Sequence, residues 1–345
     1  MTRKVNIAII GTGRMGSVHV RNIARQIPEA NLVAICDLRL DVAQKIADEL
    51  GIERVVADYH ELLEDKSIEA ILIATSTDTH AYIMQDVAKA GKHIFCEKPL
   101  ALDLKSIDEA LTTVKEAGVK LQVGFNRRFD KSFKRVHEIV GSGEIGRPCI
   151  LHIISRDPEP PAMEFLRVSG GMFLDMTIHD FDMARYLLGD IEEVYAIGKV
   201  LVSPEFEDIG DVDTNVLTLK FANGAIGTID NSRHAVYGYD QRLEVFCSNG
   251  VAMAGNESEN TVIKGNPEGL HASRIPHFFM QRYAPCYIEE VRQFIECIRD
   301  DKPTPTNGVD GRMAVVLGHA AWRSVYENRP VKVSEFLSSN DSDAN

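Results

Sequence analysis

No apolar run in the 345 residues approaches the roughly 18 that a membrane-crossing helix requires. The opening Met1-Thr-Arg-Lys-Val-Asn6 has no apolar stretch, so no secretory signal is expected and a cytoplasmic protein is. Basic charge is scarce too. Lys and Arg number 38 against 51 Asp and Glu, a net charge of −13. Nucleic acids and anionic membranes are held by basic faces, so neither is expected as a partner. Paired cysteines are also missing. The six, at 36, 96, 149, 247, 286 and 297, form no CxxC and no zinc-like spacing. Cys36 and Cys96 sit inside apolar runs, as reduced buried thiols do, and a reducing compartment fits. There is no internal repeat, and the only biased segment is the polar Ser338–Asn345.

A hydrophobic content of 44% is enough for a sizeable core, and the length suggests two domains. In residues 1–125, apolar runs alternate with helical patterns. The runs are Asn6–Ile10, Leu32–Cys36, Ala70–Ala74, His93–Cys96 and Lys120–Val123, with a weaker one at Arg54–Val56. Consecutive Val, Ile and Leu mark strands buried on both faces, and strand–helix repetition predicts a Rossmann-type, doubly wound parallel sheet. Beyond residue 125 the runs lengthen and alternate: 147–155, 194–202, 212–221, 225–232 and 241–247. Asn223-Gly224 predicts a hairpin between two of them. Helices are expected over 175–188, 283–300 and 309–328. The prediction is an α/β protein: a parallel-sheet domain over 1–125, an α+β domain with a large open-faced, mostly antiparallel sheet over 126–337, and a tail over 338–345.

Gly11-Thr-Gly13-Arg14-Met15-Gly16 follows the first strand and opens a helix. Gly11 permits the tight turn, Gly13 lets the backbone approach a pyrophosphate, and Gly16 lets helix and strand pack closely. The helix N-terminus offers N–H groups to the phosphates. Asp37 ends the next strand 21 residues after Gly16, where a carboxylate meets ribose hydroxyls. It repels a 2′-phosphate, so NAD is expected over NADP, although Arg39 nearby is able to receive that phosphate.

Strand C-termini of a parallel sheet share one edge, and ligands bind there. Glu97-Lys98-Pro99 follows one such strand. Lys98 is thus either a lysine that reaches a substrate oxygen or a solvated turn residue. Asp175, His179 and Asp182, spaced i, i+4, i+7, share one face if their segment is a single helix. Three readings fit that stripe: a solvated face, metal ligands, or a histidine base oriented by a carboxylate.

Gly11–Gly16, Ala74-Thr-Ser-Thr-Asp-Thr-His80, Glu97-Lys98-Pro99, Gly124-Phe-Asn-Arg-Arg-Phe-Asp130 and Gly170-Gly-Met-Phe-Leu-Asp175-Met-Thr-Ile-His179-Asp resemble the glucose–fructose oxidoreductase / inositol dehydrogenase / rhizopine catabolism family. The resemblance runs from about residue 5 to 330. One departure is Ser76, where the family more often carries proline. The resemblance implies an NAD-dependent oxidoreductase acting on sugars or polyols, with Lys98, Asp175 and His179 as the catalytic set and no metal. It implies cofactor contacts from Gly11, Gly13, Arg14, Met15, Gly16, Asp37, Thr75, Ser76, His80 and Glu97. Arg127, Asp182 and Tyr239 are the candidate substrate-binding residues, since a substrate with many hydroxyls needs many polar partners. Tyr239 reads equally as a core aromatic. Val236-Tyr-Gly-Tyr-Asp240, Gln281-Arg-Tyr-Ala284 and Tyr287-Ile-Glu-Glu-Val291 resemble the branch that oxidises inositols. The implied reaction is myo-inositol to its 2-keto form. The alternatives are scyllo-inositol or a pyranose sugar, or a non-catalytic dinucleotide-binding redox sensor. The resemblance also implies a homo-oligomer, dimer or tetramer, joined through the open sheet.

Overall fold

Strands made mostly of consecutive Val, Ile, Leu and Ala must be covered on both faces, and a parallel sheet between helices does that. The structure is a computed structural model that describes residues 3–337, so the expected tail lies outside the described residues. Two compact units divide the chain. The first comprises residues 3–129 and 285–315, the second 130–284 and 316–337.

The first unit begins with β1 (Val5–Ile10), α1 (Arg14–Gln26), β2 (Ala30–Cys36), α2 (Leu40–Leu50), β3 (Val55–Val56) and α3 (His60–Glu64). It continues with β4 (Ala70–Ile73), α4 (Thr77–Lys89), β5 (His93–Cys96), α5 (Leu104–Ala117) and β6 (Leu121–Val123). The six strands lie in the order β3-β2-β1-β4-β5-β6, with every pair parallel. Strand order reverses between β1 and β4, so the C-terminal ends of those strands flank the crevice where such sheets bind ligands.

The second unit starts with α6 (Lys131–Ser142), β7 (Pro148–Arg156), α7 (Met163–Leu166), α8 (Gly171–Asp175) and α9 (Ile178–Leu188). Next come β8 (Ile191–Lys199), β9 (Thr214–Phe221), β10 (Ile226–Ser232), β11 (Asp240–Cys247) and β12 (Gly250–Ala254). The remaining elements of the chain are β13 (Ile263–Asn266), β14 (Gly269–Ala272), α10 (Phe279–Arg282), α11 (Ala284–Arg299), α12 (Gly308–Glu327) and β15 (Val331–Lys332), of which α11 from residue 285 and α12 up to residue 315 fall in the first unit. Seven strands form one sheet in the order β12-β11-β7-β10-β9-β8-β15. The β7–β10 pair is parallel and the other pairs are antiparallel. Alternation assigns the two faces. In β9, Asn215, Leu217, Leu219 and Phe221 point inward, while Val216, Thr218 and Lys220 point out. The predicted hairpin at Asn223-Gly224 joins β9 to β10, with Gly224 at φ +85°.

Helix α6 and the placement of residues 285–315 differ from the sequence expectation. Helix α6 falls where none was expected. The Asp130 carboxylate caps it by accepting from the Ser132 and Phe133 amides (3.0 Å each), and Gly143 ends it in a left-handed conformation. Residues 285–315, expected in the second domain, belong to the first unit. Val291, Phe294, Ile295 and Ile298 of α11 share one core cluster with Val5, Ile7, Ile9, Leu72 and Phe95. Helical periodicity shows that a helix has an apolar face but not which sheet it covers.

Candidate active site

The glycine loop turns between β1 and α1, at the reversal of strand order. Gly11 has φ +93°, and a side chain there would stand 2.6 Å from the Ala74 carbonyl oxygen. A Cβ on Gly16 would fall 1.9 Å from the Gly11 oxygen. At Gly13 nothing lies within 4 Å of the corresponding position, so the loop opens onto space that a side chain would fill. The first turn of a helix leaves amides without intrahelical partners. In α1 the Ser17 amide closes a bond to the Gly13 carbonyl (2.9 Å).

Asp37 lies beside this loop. Its Oδ2 accepts from the Thr12 amide and hydroxyl (2.7 Å each), and its Oδ1 accepts from the Arg39 amide (2.9 Å). Burial works to raise its pKa, but the Arg39 and Thr12 donors outweigh burial and hold the carboxyl below its usual range. The open space at Gly13, the helix terminus and this anchored carboxylate fit a dinucleotide with an unmodified ribose. The Arg39 side chain is exposed, with Nε 3.8 Å from Asp37 Oδ1. Replacing Asp37 with Ala is expected to cost roughly tenfold or more in kcat/KM for NAD and less for NADP, because a charge-assisted bond to the ribose is lost. Steady-state rates with each dinucleotide check this, and a wild type that prefers NADP would shift the ribose role to Arg39.

Thr75 and Ser76 follow β4, and Ser76 is exposed just before α4. His80 is buried, and its ring ties the β4 and β5 loops together. Nδ1 lies 2.8 Å from the Pro99 carbonyl oxygen and Nε2 3.2 Å from that of Thr75. Burial pushes this imidazole down against the opposing pull of the Pro99 and Thr75 carbonyls, and the ring braces the two loops. Lys98 sits partly exposed beyond β5, ahead of a cis bond to Pro99.

Glu97 turns inward. Its Oε1 is 2.6 Å from Nε2 of the fully buried His19 of α1, and its Oε2 would be 2.9 Å from a Cβ on Gly124. Glu290 of α11, also fully buried, completes a cluster whose ligand-type atoms lie within 4.8 Å of one another. Two ligands each about 2.0–2.1 Å from one zinc ion stand roughly 3.3 Å apart, so the 2.6 Å His19–Glu97 contact is a hydrogen bond and not a metal spacing. Both Glu290 carboxyl oxygens lack a hydrogen-bond partner among the described residues. Burial, then the nearby Glu97 charge, push this carboxyl well above the ordinary range. The folded state therefore keeps a proton that the unfolded chain gives up above about pH 4.3. Stability then falls as pH rises from there towards the raised value. Glu290→Gln is expected to flatten the decline in thermal midpoint as pH rises above about 4.3. An unchanged slope would show that Glu290 stays ionised.

In the second unit the stripe of acid and histidine is not carried on one helix. The Met176 and Thr177 amides both donate to the Met172 carbonyl (3.0 Å each), closing α8, and Asp180 N donates to Thr177 O (2.8 Å) to open α9. Asp175 ends α8, while His179 and Asp182 lie on α9. A fixed spacing of four residues reads the same across such a break, which is why sequence does not reveal it. His179 and Asp175 are partly exposed, and Asp182 is buried. Asn231 of β10 anchors the turn. Its Oδ1 accepts from the Thr177 hydroxyl (2.7 Å), and its Nδ2 donates to Asp180 Oδ2 (2.8 Å) and Ser155 O (3.1 Å). Asp175 Oδ2 meets Arg233 Nη1 at 3.0 Å. Tyr239 is buried edge-on against Tyr283, with ring centres 5.9 Å apart. Arg127 is buried in the first unit, in the short 3-10 turn Asn126–Phe129.

Thr12, His19, Asn231, Arg233 and Glu290 were not singled out from sequence. Asn231 and Arg233 did leave a signal: in the alternation of β10, they occupy inward positions where an apolar residue is the norm.

A parallel sheet with an anchored carboxylate beside its glycine loop, joined to a unit carrying a half-buried histidine and carboxylate, defines an NAD-binding oxidoreductase. Residues 5–125 match the oxidoreductase family with NAD-binding Rossmann fold, GFO/IDH/MocA, and residues 133–253 match the GFO/IDH/MocA C-terminal domain. The chain belongs to this family. It is 49% identical to the myo-inositol 2-dehydrogenase of Thermotoga maritima over 334 residues, which are 96% of this chain and 100% of that protein. It is 40% identical to the inositol 2-dehydrogenase of Rhizobium meliloti, over 96% of this chain and 99% of that one. Among solved structures, the scyllo-inositol dehydrogenase of Lactobacillus casei with bound NAD(H) and scyllo-inositol is 28% identical. It superposes with a TM-score of 0.90 over 96% of this chain and 100% of that chain.

Proposed function

We propose that the protein is an inositol 2-dehydrogenase that oxidises a secondary hydroxyl of myo-inositol to the ketone. The observation that carries this reading is the near full-length similarity to proteins of that activity, at 49% and 40% identity. NAD, when bound, supplies the hydride acceptor. Gly11, Gly13, Gly16 and the first turn of α1, including the backbones of Arg14 and Met15, hold its phosphates, and Asp37 holds the adenosine ribose. Thr75 and Ser76 border the nicotinamide side. His80 and Glu97 act from behind by bracing the loops that carry Thr75 and Lys98. His179 accepts the hydroxyl proton as the C–H bond breaks. Lys98 donates a hydrogen bond to the same oxygen and offsets its developing negative charge. Asp175 accepts from a neighbouring hydroxyl, and Arg127, Asp182 and Tyr239 border the ring of hydroxyls.

The test is NADH formation from myo-inositol, scyllo-inositol and glucose, each with and without EDTA. Turnover highest with myo-inositol and insensitive to EDTA supports the proposal. A preference for scyllo-inositol or glucose moves the substrate within the family. Loss on chelation would make Asp175, His179 and Asp182 metal ligands. No turnover with any polyol would favour a dinucleotide sensor.

We propose further that the protein is a cytoplasmic homo-oligomer, dimer or tetramer. Among the described residues no helix is long and apolar enough to cross a membrane. Lys220, Ile226, Ile150, Phe246 and Val251 are register partners in a row across five strands. Of these, Ile226, Phe246 and Val251 are exposed, with Ile197, Val216 and Met253 on the same face. The exposed apolar residues Ile197, Val216, Ile226, Phe246, Val251 and Met253 on this face suit a buried contact with a second copy. A monomer in sedimentation at micromolar concentration would overturn this.

A further inference from the structure

The catalytic reading leaves the buried charge of Arg233 unexplained. Arg233 is only 1% exposed. It follows β10, whose alternation turns Gly227, Ile229, Asn231 and Arg233 inward. Its amide donates to the Asp213 carbonyl (2.8 Å), which extends the strand pairing by one residue. Its Nη1 lies 3.0 Å from Asp175 Oδ2 and 3.7 Å from Asp157 Oδ2. Its Nε and Nη2 are buried with no hydrogen-bond partner among the described residues. Asp211 is near enough for the guanidinium to offset part of the effect of burial on its carboxyl.

A buried guanidinium with two unused donor atoms is a poor way to stabilise a fold, because an apolar side chain of similar length avoids the desolvation cost. Its strongest contact, however, is with Asp175, the last residue of α8. We infer that Arg233 is a positioning residue for the reaction, fixing the Asp175 carboxylate by an ion pair from the end of β10. Asn231, two residues earlier on the same face, holds Thr177 and Asp180 on either side of His179. One strand end thus orients both the carboxylate and the turn that carries the base. Alternation makes this economical, since residues two apart on a strand face the same way and move as one rigid body. Because α8 and α9 are separate helices, Asp175 and His179 are not fixed to each other by one helix, and misplacements near 1 Å cost about 10²-fold in rate.

This inference rests on the proposed role of Asp175, and the experiment separates the two. The variants are Arg233→Met, Arg233→Lys, Asp175→Asn and the Arg233→Met/Asp175→Asn double. Each is assayed for NADH formation from myo-inositol, for NADH binding by fluorescence and for its thermal midpoint. Arg233→Met is expected to lower kcat by roughly 10²-fold with NADH affinity retained. Arg233→Lys keeps the cation but not the planar fork, and it should recover part of that loss. The double variant should be about as slow as the slower single, because without the carboxylate there is nothing for Arg233 to position. If Arg233→Met does not fold, Arg233→Lys and an Arg233→Lys/Asp175→Asn double carry the same comparison. Full turnover in the Arg233 variants, or losses that multiply in the double, overturns the inference while the role of Asp175 stands. Full turnover in Asp175→Asn overturns that role, and the inference with it.

Discussion

His179→Ala is expected to lower turnover on myo-inositol by roughly 10²–10⁴-fold, the usual contribution of a positioned general base. The ring is partly exposed at the start of α9, on a turn fixed by Asn231 through Thr177 and Asp180. A base in that place takes a proton only when its imidazole is neutral. Wild-type kcat/KM should therefore rise with pH as the ring loses its proton, and the variant should lose that limb. NADH binding should be unaffected, since the glycine loop and Asp37 belong to the other unit. Steady-state rates across pH, with NADH fluorescence titration as the control, check both statements. A fully active variant would remove His179 from the chemistry.

Lys98→Met is the second large effect, a loss of roughly 10²–10³-fold in kcat. Methionine keeps the aliphatic length and deletes the donor. In the ground state the substrate oxygen is a neutral hydroxyl, and negative charge builds on it only as the proton leaves. An ammonium beside it is therefore worth more in the transition state, so the loss should fall on kcat more than on KM. A rise in KM with kcat unchanged would reduce Lys98 to a binding contact. The segment that carries Lys98 is braced from behind. His80 ties the Pro99 carbonyl to the β4 loop, and the preceding Glu97 is clamped by His19 against Gly124.

The parallel sheet was legible because its strands are dominated by consecutive apolar residues, Ile7–Ile10, Leu32–Cys36, Ala70–Ile73 and Ile94–Cys96, the pattern of strands buried on both faces. The glycine loop and Asp37 were legible because the backbone demands there are local: a positive φ at Gly11, and no room for a Cβ at Gly16. The break between α8 and α9 was not legible, because Asp175 and His179 keep the same spacing in one helix or two. Helix α6 had its signals in Asp130 and Gly143, but they flank a segment with only a modest apolar face of Phe133, Val136 and Val140. What holds the site lay further out of reach. The contacts of Glu97 with His19 and of Asp175 with Arg233 join residues 78 and 58 positions apart. No local pattern records such a pairing, and only the inward register of Arg233 hinted that it needed one.

The return of residues 285–315 to the first unit also governs how the protein is made. A chain leaving the ribosome completes all six parallel strands by residue 123, yet the apolar surface covered by Val291, Phe294, Ile295 and Ile298 stays bare until some 170 further residues have been added. At about 5–20 residues per second, that interval lasts roughly 10–30 seconds, during which the cofactor-binding half is assembled but unsealed. The second unit must therefore emerge while the first is still exposed. A fragment ending after β6 would expose the same surface permanently, although the sequence motifs of the dinucleotide-binding half all lie within the first 125 residues.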